Sequence, residues 1–437
     1  MADIPHRGAR RTAKLASLPL GVAGRMVGGW GRRLLGADAE GVQAELAERT
    51  AEQLFEVLGQ LKGGAMKVGQ ALSVFEAAVP DELAEPYREA LTRLQSAAPP
   101  MPASSVHAIL TEQLGSSWRR RFRDFDDRPA AAASIGQVHR AVWHDGREVA
   151  VKVQYRGAAE ALLADLNQLR RFSRLLQPLV PGMAVRPLLA ELTERMTEEL
   201  DYHAEAGHQR AFAAAFRDDP RIFVPGILAS APKVLVGEWV TGTPLAEVIA
   251  SGGKEVRDRF AALLAEFHYS SADRVERLHV DPHPGNYLLL GDGRLGVLDF
   301  GAVGRVPGGI PWTLGRIVRL AVDGRPDELL ALLRKENFVQ PGITIEAADV
   351  LRYLAPLVEP VQGETFHFTR RWLRRQAGRM TDLRRPEFDT GRSLNLPARH
   401  LMLVRATGGT TAILCQLDAE VAMRPIFEYW LDGFADD

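Results

Sequence analysis

The sequence predicts an α+β fold with two lobes and a helical extension ahead of them. Two short runs of strand-type residues, at 138–143 and 148–154, indicate a β-hairpin. Residues 157–215 and nearly all residues after 255 have helical patterning, with one further strand between them at 234–240. This order predicts a small strand-rich lobe, a larger helix-rich lobe and a cleft between the two.

We divide the 437 residues into four regions, since a domain usually has roughly 100–200 residues. The regions are a basic N-terminal segment (1–39), a helical extension (40–115), a strand-rich lobe with inserted helices (116–241) and a helix-rich lobe (242–437). Basic and apolar residues are interleaved between Arg7 and Arg33. This pattern fits either a segment on an anionic membrane surface or a solvated tail, and both interpretations stay open.

Composition excludes several classes of protein. Hydrophobic residues make up 46% of the chain, which excludes a mostly disordered protein. The 54 Lys and Arg residues balance 55 Asp and Glu residues, which argues against a nucleic-acid binder. Cys415 is the single cysteine, so an intrachain disulfide framework and a cysteine-rich zinc site are excluded. No run reaches the roughly 18 apolar residues of a spanning helix, so we expect a cytoplasmic protein with at most peripheral membrane contact.

The helical extension has the clearest helical periodicity before the strands. Thr50 and Gln53 have the spacing of a capping box. Apolar residues then recur on one helical face: Leu54, Val57, Leu58, Leu61, Ala65, Val68 and Leu72. A second helix is predicted at about 80–95, and the Pro-rich residues 97–102 end the helical unit.

The hairpin presents one lysine on a rigid strand. The dipeptide Asp145-Gly146 joins its two strands and is typical of tight hairpin turns. In the second strand the valines alternate with Ala150 and Lys152, so the two sets face opposite sides of a sheet. A second, shorter hairpin is predicted from 287–290 and 294–298.

The strongest chemical signal lies at residues 279–301. Asp281 and Asn286 are separated by a Pro- and Gly-containing loop, and Asp299 opens an Asp-Phe-Gly triplet after the second hairpin. Phosphoryl transfer from a nucleotide needs one carboxylate to orient the acceptor, and a neutral oxygen and a second carboxylate to hold Mg²⁺. These three residues have that chemistry at kinase-type spacing.

Two alternatives to this interpretation stay open. One is an ordinary Pro/Gly loop followed by a hairpin. The other is a metal site formed by His279, Asp281 and His283, which would share a face of a strand. Pro282 and Pro284 disfavour such a strand, so we expect His279 to organise the loop instead.

Lys152 matches the strand lysine that meets nucleotide phosphates in kinases, and a solvated strand lysine is the alternative. No Gly-rich loop precedes the hairpin. An alanine-rich loop takes its place, with these residues: Ala130, Ala131, Ala132, Ala133 and Ser134. Because alanine has a Cβ, its backbone approaches a phosphate less closely than glycine, which predicts an altered pose or selectivity for the nucleotide. A plain Ala-rich turn or helix start remains the alternative.

Taken together, these motifs resemble the UbiB/ADCK (AarF-type) atypical protein-kinase-like family, which is associated with coenzyme Q biosynthesis. The resemblance runs from about residue 40 to at least 305. Its motifs are Lys67-Val68-Gly69-Gln70, the alanine-rich loop followed by Ser134-Ile135-Gly136-Gln137-Val138-His139, the Lys152 strand, Glu199-Leu200-Asp201 followed by Tyr202 and Glu205, the Asp281/Asn286 loop, and Asp299-Phe300-Gly301. The resemblance implies a bilobal protein-kinase-like fold.

The resemblance also implies a gate across the cleft. Lys67 and Gln70 would lie on a helix that crosses the cleft, with Lys67 meeting the acidic pair Glu199 and Asp201. Such a gate would exclude a bulky peptide. From the residues alone, a solvated helix lysine at Lys67 and an acidic solvent face at Glu198, Glu199 and Asp201 are favoured over this gate.

Two further roles depend on the resemblance. Spacing alone points to Glu160 or Asp165 as the carboxylate that orients Lys152, whereas the resemblance points to Glu205. Residues from Glu238 to Val240 would form the hinge that faces adenine. No Ala-Pro-Glu follows the Asp-Phe-Gly triplet, so the usual peptide-docking segment is missing.

The function predicted from these motifs is binding of ATP (or ADP) with Mg²⁺ and slow ATP hydrolysis or phosphoryl transfer. The resemblance implies a role in isoprenoid-quinone or related lipid metabolism, with a lipid, a prenylated quinone precursor or an anionic membrane surface as partner. Three alternatives stay open: a small-molecule kinase of the aminoglycoside-phosphotransferase type, a non-catalytic nucleotide-dependent scaffold, and a lipid-binding chaperone.

Overall fold

The computed structural model describes residues 100–133, 135–160, 162–163, 182, 184–281, 283–381 and 384–435. The basic N-terminal segment, the helices predicted near 50–72 and 80–95, and the motif with Lys67 and Gln70 lie outside the described residues. Ser134 and Pro282 also lie outside them.

The described chain is a mixture of helices and strands. In chain order, its strands are β1 Phe122–Ala133, β2 Gly136–Trp143, β3 Glu148–Gln154, β4 Ile222–Phe223, β5 Ile227–Ala231, β6 Val234–Glu238, β7 Thr243–Pro244, β8 Arg277–His279, β9 Tyr287–Leu289, β10 Leu295–Val297, β11 Val303–Arg305, β12 Phe366–His367 and β13 Glu420–Val421. Its helices are α1 Ala103–Leu114, α2 Val185–Glu198, α3 Tyr202–Ala215, α4 Leu245–Ser251, α5 Lys254–Val275, α6 Trp312–Val322, α7 Pro326–Lys335, α8 Ala347–Gln362, α9 Arg370–Thr381, α10 Pro386–Ser393, α11 Leu401–Leu417, α12 Met423–Trp430 and α13 Asp432–Ala435.

Five antiparallel strands form the largest sheet, in the order β1-β2-β3-β6-β5. The predicted hairpin is confirmed as β2 and β3, and Gly146 in its turn has a positive φ of 97°. The three valines of β3 are fully buried and pack against α1, which shares the core of this sheet. The predicted alternation is therefore confirmed, and Lys152 lies on the opposite face.

The alanine-rich segment differs from the predicted loop. Ala131, Ala132 and Ala133 pair with β2, so the segment is the end of a strand and not a turn or a helix start. Two register shifts, on either side of Pro129, precede this pairing. Proline has no N–H to donate to a strand ladder, which explains why the pairing is irregular there.

The second predicted hairpin is confirmed as β9 and β10, and β10 also pairs in parallel with β4. Nearby, β8 pairs with β11, with His279 opposite Val303. Consequently the loops that follow β8 and β10 lie side by side, and these two loops carry the predicted chemical residues.

Helices dominate the chain after residue 255, as predicted. The central helices α5 and α11 pack together, and both contribute buried side chains to the main core, such as Phe260, Phe267 and Ile413. Cys415 is fully buried in this core, and burial raises the pKa of its thiol to about 12. No helix in the described ranges combines the length and the apolar character needed to cross a bilayer.

Candidate functional site

Lys152 lies between two carboxylates that come from distant parts of the chain. Its Nζ donates to Oε1 and Oε2 of Glu205 at 2.8 and 3.0 Å, and to Oδ2 of Asp299 at 2.8 Å. The Lys152 side chain is 13% exposed and that of Glu205 only 2%. Burial by itself would lower the pKa of Lys152, but Asp299 and Glu205 outweigh burial and hold this pKa well above its usual value. Lys152 is therefore held in its charged form between Glu205 and Asp299.

Local structure explains why these groups meet. Lys152 pairs in register with Leu235 of β6 and Val138 of β2, which fixes its position on the sheet. Helix α3 begins directly after Asp201, whose Oδ1 accepts a hydrogen bond of 2.8 Å from the His203 backbone N–H as an N-cap. Because α3 starts at this point, its first turn presents a glutamate to the lysine.

The aromatic ring of Tyr202 also contacts the lysine. The ammonium group lies 4.9 Å from the ring centroid, a cation–π distance. The ring belongs to a small apolar cluster that also contains Ile135 and Leu235. Its buried hydroxyl makes no hydrogen bond within the described part of the chain. Gly136 comes so close that a Cβ there would lie 2.7 Å from this hydroxyl.

The loop after β8 is held by its own backbone and by Asn286. The Asn286 Nδ2 donates to the backbone carbonyl of Asp281 at 2.8 Å, and the His283 backbone N–H donates to the same carbonyl at 2.7 Å. A single 3₁₀ turn, Pro284–Asn286, closes the loop. The hydrogen bond from Nδ2 fixes the orientation of the Asn286 side chain. Its amide oxygen is the atom that can bind a cation.

His279 connects this loop to the next one. Its Nε2 donates to the backbone carbonyl of Asp299 at 2.6 Å, and its Nδ1 accepts from the Tyr287 hydroxyl at 3.2 Å. Burial is the main cause that lowers the pKa of His279, which favours the neutral ring that this pair of bonds requires. His279 therefore has the loop-organising role predicted for it. Among the described residues, no three His, Cys, Asp or Glu side chains are grouped as a metal site.

Asp299 is shared between its own loop and the lysine. Its Oδ1 accepts from the Gly301 backbone N–H at 2.9 Å, while Oδ2 faces Lys152. The next residue, Phe300, is fully buried, and its ring lies 4.7 Å from that of Phe212 on α3. The triplet is thereby packed against the helix that carries Glu205.

The other predicted site residues lie around this cluster. Glu199 is buried, with 5% of its surface exposed, and Asp201 caps α3 as described. Glu238 ends β6, where its carboxylate accepts from the Gly226 backbone N–H at 2.8 Å, and Val240 follows two residues later. Ala130 completes the alanine-rich end of β1.

Among the candidate partners of Lys152, the structure brings Glu205 to the lysine, while Glu160 is exposed to solvent and Asp165 lies outside the described residues. Sequence reasoning missed the ring of Tyr202 below the lysine and the close approach at Gly136. Tyr202 entered the sequence analysis only as part of a motif. Its position directly after Asp201, the N-cap of α3, was the signal that could have placed its ring near the lysine.

The fold and this cluster define a kinase-like protein. A profile of the family described as an ABC1 atypical kinase-like domain matches residues 93–328, more than half of the chain, and the chain belongs to this family. The resemblance to the UbiB/ADCK family is thereby confirmed.

Relatives include "Atypical kinase coq-8, mitochondrial" of Caenorhabditis elegans, 30% identical over 77% of this chain and 46% of the relative. "Atypical kinase COQ8, mitochondrial" of Schizosaccharomyces pombe is 31% identical over 65% of this chain and 46% of the relative. The chain thus spans about half the length of these curated relatives. One solved structure, "The complex structure of Rv3197-erythromycin from Mycobacterium tuberculosis", is 50% identical, covers 92% of this chain and 100% of its own, and has a TM-score of 0.68.

Proposed function

We propose that this chain is an atypical kinase or ATPase that binds Mg-ATP between a strand-rich and a helix-rich lobe. The observation that carries the proposal is the contact of Lys152 with both Glu205 and Asp299, 2.8 Å from each. In phosphoryl transfer such a lysine meets the phosphates, a glutamate orients the lysine, and the aspartate of an Asp-Phe-Gly triplet faces Mg²⁺. Separate cores of the sheet and of the helices support the two lobes.

The donor set of the site fits Mg²⁺. Asp299 offers a carboxylate, Asn286 offers an amide oxygen, and hard oxygen ligands of this kind are those that Mg²⁺ prefers beside phosphates. When bound, the ion would neutralise charge on the phosphate oxygens. The Lys152 ammonium lies 2.8 Å from Asp299, which supports a role for this carboxylate beside positive charge.

Asp281 would take the proton of the acceptor hydroxyl or water, or orient that group. Asp281 is buried, with 8% of its surface exposed. Its backbone carbonyl accepts two hydrogen bonds. The alanine-rich end of β1, with Ser134 beyond it, would cover the phosphates, and the backbone of Glu238 to Val240 would face adenine. The loop organisation supports a fixed position for the base.

The gate across the cleft remains a proposal. Glu199 is almost fully buried, and Asp201 two residues later caps α3. The family resemblance supports an ion pair between Lys67 and this acidic pair, with Gln70 in the same motif. A gate of this kind would admit a small acceptor and exclude a peptide.

The acceptor would come from isoprenoid-quinone or related lipid metabolism, as the family resemblance suggests.

A second candidate function is the binding of a macrolide or a similar bulky ring. It is favoured by the solved structure titled as a complex of Rv3197 with erythromycin, because that protein is 50% identical over nearly the whole of this chain. The two activities are compatible, since a lipid and a macrolide are both large and mostly apolar.

Thermal stabilisation by nucleotide tests the proposal. ATP with Mg²⁺ should raise the melting temperature of the wild type, and Asp299→Asn should abolish the part of the rise that depends on Mg²⁺. Asp323→Asn is the matched control, because Asp323 lies in an exposed ion pair with Arg319 on α6. An undiminished Mg²⁺-dependent rise in Asp299→Asn would remove Asp299 from the metal site. A parallel titration with erythromycin tests the second candidate.

A further inference from the structure

The ring of Tyr202 lies over Lys152 and has no role in the proposed function as stated so far. The lysine Nζ is 4.9 Å from the ring centroid, and Tyr202 is fully buried. A cation at this distance is attracted by the negative charge of an aromatic face, and the attraction is largest where water is excluded. The ring is therefore a third partner of the ammonium, beside Glu205 and Asp299.

The position of this ring is fixed from several sides. Tyr202 is the first residue of α3, and its backbone N–H donates to the Pro232 carbonyl at 3.0 Å. The ring packs against the sheet in the small cluster that contains Ile135 and Leu235. At its hydroxyl end the backbone of Gly136 approaches so closely that a Cβ there would lie 2.7 Å from the oxygen. Close packing of this kind keeps the ring face toward the lysine.

The hydroxyl group of Tyr202 does not explain the contact. It is buried and makes no hydrogen bond within the described residues. Burial is the largest cause that raises the pKa of this hydroxyl, so the side chain stays a neutral phenol. A neutral phenol forms no ion pair with the lysine, and the ring face is the part of the side chain that lies next to the ammonium.

An aromatic face acts on the ammonium differently from a third carboxylate. The ring has no net charge, so it attracts the ammonium without neutralising it. In the proposed function Lys152 donates to phosphate oxygens and Asp299 faces Mg²⁺. The lysine then needs partners that hold it in place and leave its charge available to the phosphates. Glu205 and the Tyr202 ring together meet this need, because only one of them carries a negative charge.

We propose that Tyr202 is a positioning residue, whose ring face holds the Lys152 ammonium beside Glu205 while the lysine donates to the nucleotide phosphates. The inference rests on the proposed function. It adds the requirement that the residue directly after the Asp201 cap be aromatic for tight binding of Mg-ATP. Phenylalanine meets this requirement, because it has the same ring face without the hydroxyl.

A graded series at position 202 tests the ring face separately from ring size. Tyr202→Phe comes first, followed by phenylalanines with one, two and three ring fluorines, which weaken the negative face stepwise and change its shape little. We expect Tyr202→Phe to bind Mg-ATP as the wild type does, and the dissociation constant to rise with each fluorine, to about 10-fold with three. The same fluorinated series at Phe260, fully buried in the main core on α5, is the matched control and should leave this constant unchanged.

The readouts are the dissociation constant of Mg-ATP, measured on the full chain by titration calorimetry, and the melting temperature without nucleotide, which verifies folding. A dissociation constant that stays the same across the series at Tyr202 would overturn the inference. An affinity of Tyr202→Phe as low as that of the trifluorinated variant would overturn it too, because the hydroxyl would then be the essential group. Both results leave the proposed function intact. A wild-type chain that binds no Mg-ATP would instead overturn the proposed function and this inference with it.

Discussion

The substitution Lys152→Met tests how much the ion pairs of Lys152 with Glu205 and Asp299 stabilise the fold. It replaces the ammonium with an apolar group of similar length and removes the cation that lies between Glu205 and Asp299. Glu205 is only 2% exposed, and Asp299 lies 2.8 Å from the same nitrogen in the wild type. Removing one partner from a buried ion pair destabilises a protein by about 3–5 kcal/mol. We expect about 3 kcal/mol at pH 7, because protonation of Glu205 relieves part of the repulsion.

The pH dependence gives the sign of the effect. Without the lysine, burial and Asp299 both favour the protonated form of Glu205, so its pKa in the folded Lys152→Met protein lies above the unfolded value of about 4.3. A group whose pKa is raised in the folded state makes the protein less stable as pH rises from its unfolded-state pKa to its folded-state pKa. The deficit relative to the wild type should therefore shrink as pH falls toward about 4.

The assay is urea unfolding followed by tryptophan fluorescence between pH 4 and pH 8. The double substitution Lys152→Met/Glu205→Gln removes the second charge as well and should recover most of the lost stability, since replacing both partners of a buried pair is often nearly neutral. A Lys152→Met protein as stable as the wild type at pH 7 would contradict this expectation. A double variant no more stable than the single one would contradict it as well.

Three further predictions concern the surroundings of the lysine. Gly136→Ala should lower the free energy of unfolding by about 1–3 kcal/mol, since its Cβ would lie 2.4 Å from the Val153 carbonyl oxygen. Gly207→Ala is the control, because a Cβ there would meet open space, and it should not lower the melting temperature. Tyr202→Phe should be neutral or stabilising by up to about 1 kcal/mol, because the hydroxyl is buried without a described partner, and a clear loss in the same melting assay would contradict this. Ala131→Gly should change nucleotide affinity or turnover, and unaltered values would show that the end of β1 does not cover the phosphates.

Short-range features were predictable because local chemistry determines them. The β2–β3 hairpin follows from a turn dipeptide and from valines that alternate with Ala150 and Lys152. The spacing from Asp281 to Asn286 likewise reflects one loop. Two backbone hydrogen bonds and one from the Asn286 side chain close this loop within six residues. In such cases the neighbours in sequence are also the neighbours in space.

Long-range pairing was predictable only through the family resemblance. Glu205 lies 53 residues after Lys152, and spacing alone favoured Glu160 or Asp165. A helix cap at Asp201 decides which glutamate reaches the lysine, and no local pattern fixes where that helix docks on the sheet. The pairing of the alanine-rich segment with β2 was missed for the same reason: alanine has low strand propensity, and pairing with a neighbouring strand overrides it.

The most direct measurement of the central claim is the structure of this chain with Mg²⁺ and a non-hydrolysable ATP analogue. We predict that Lys152 donates to phosphate oxygens while it keeps Glu205, and that Asp299 and the amide oxygen of Asn286 bind the ion. A nucleotide bound elsewhere, with Lys152 still joined to Asp299 and with no ion between Asp299 and Asn286, would contradict the account.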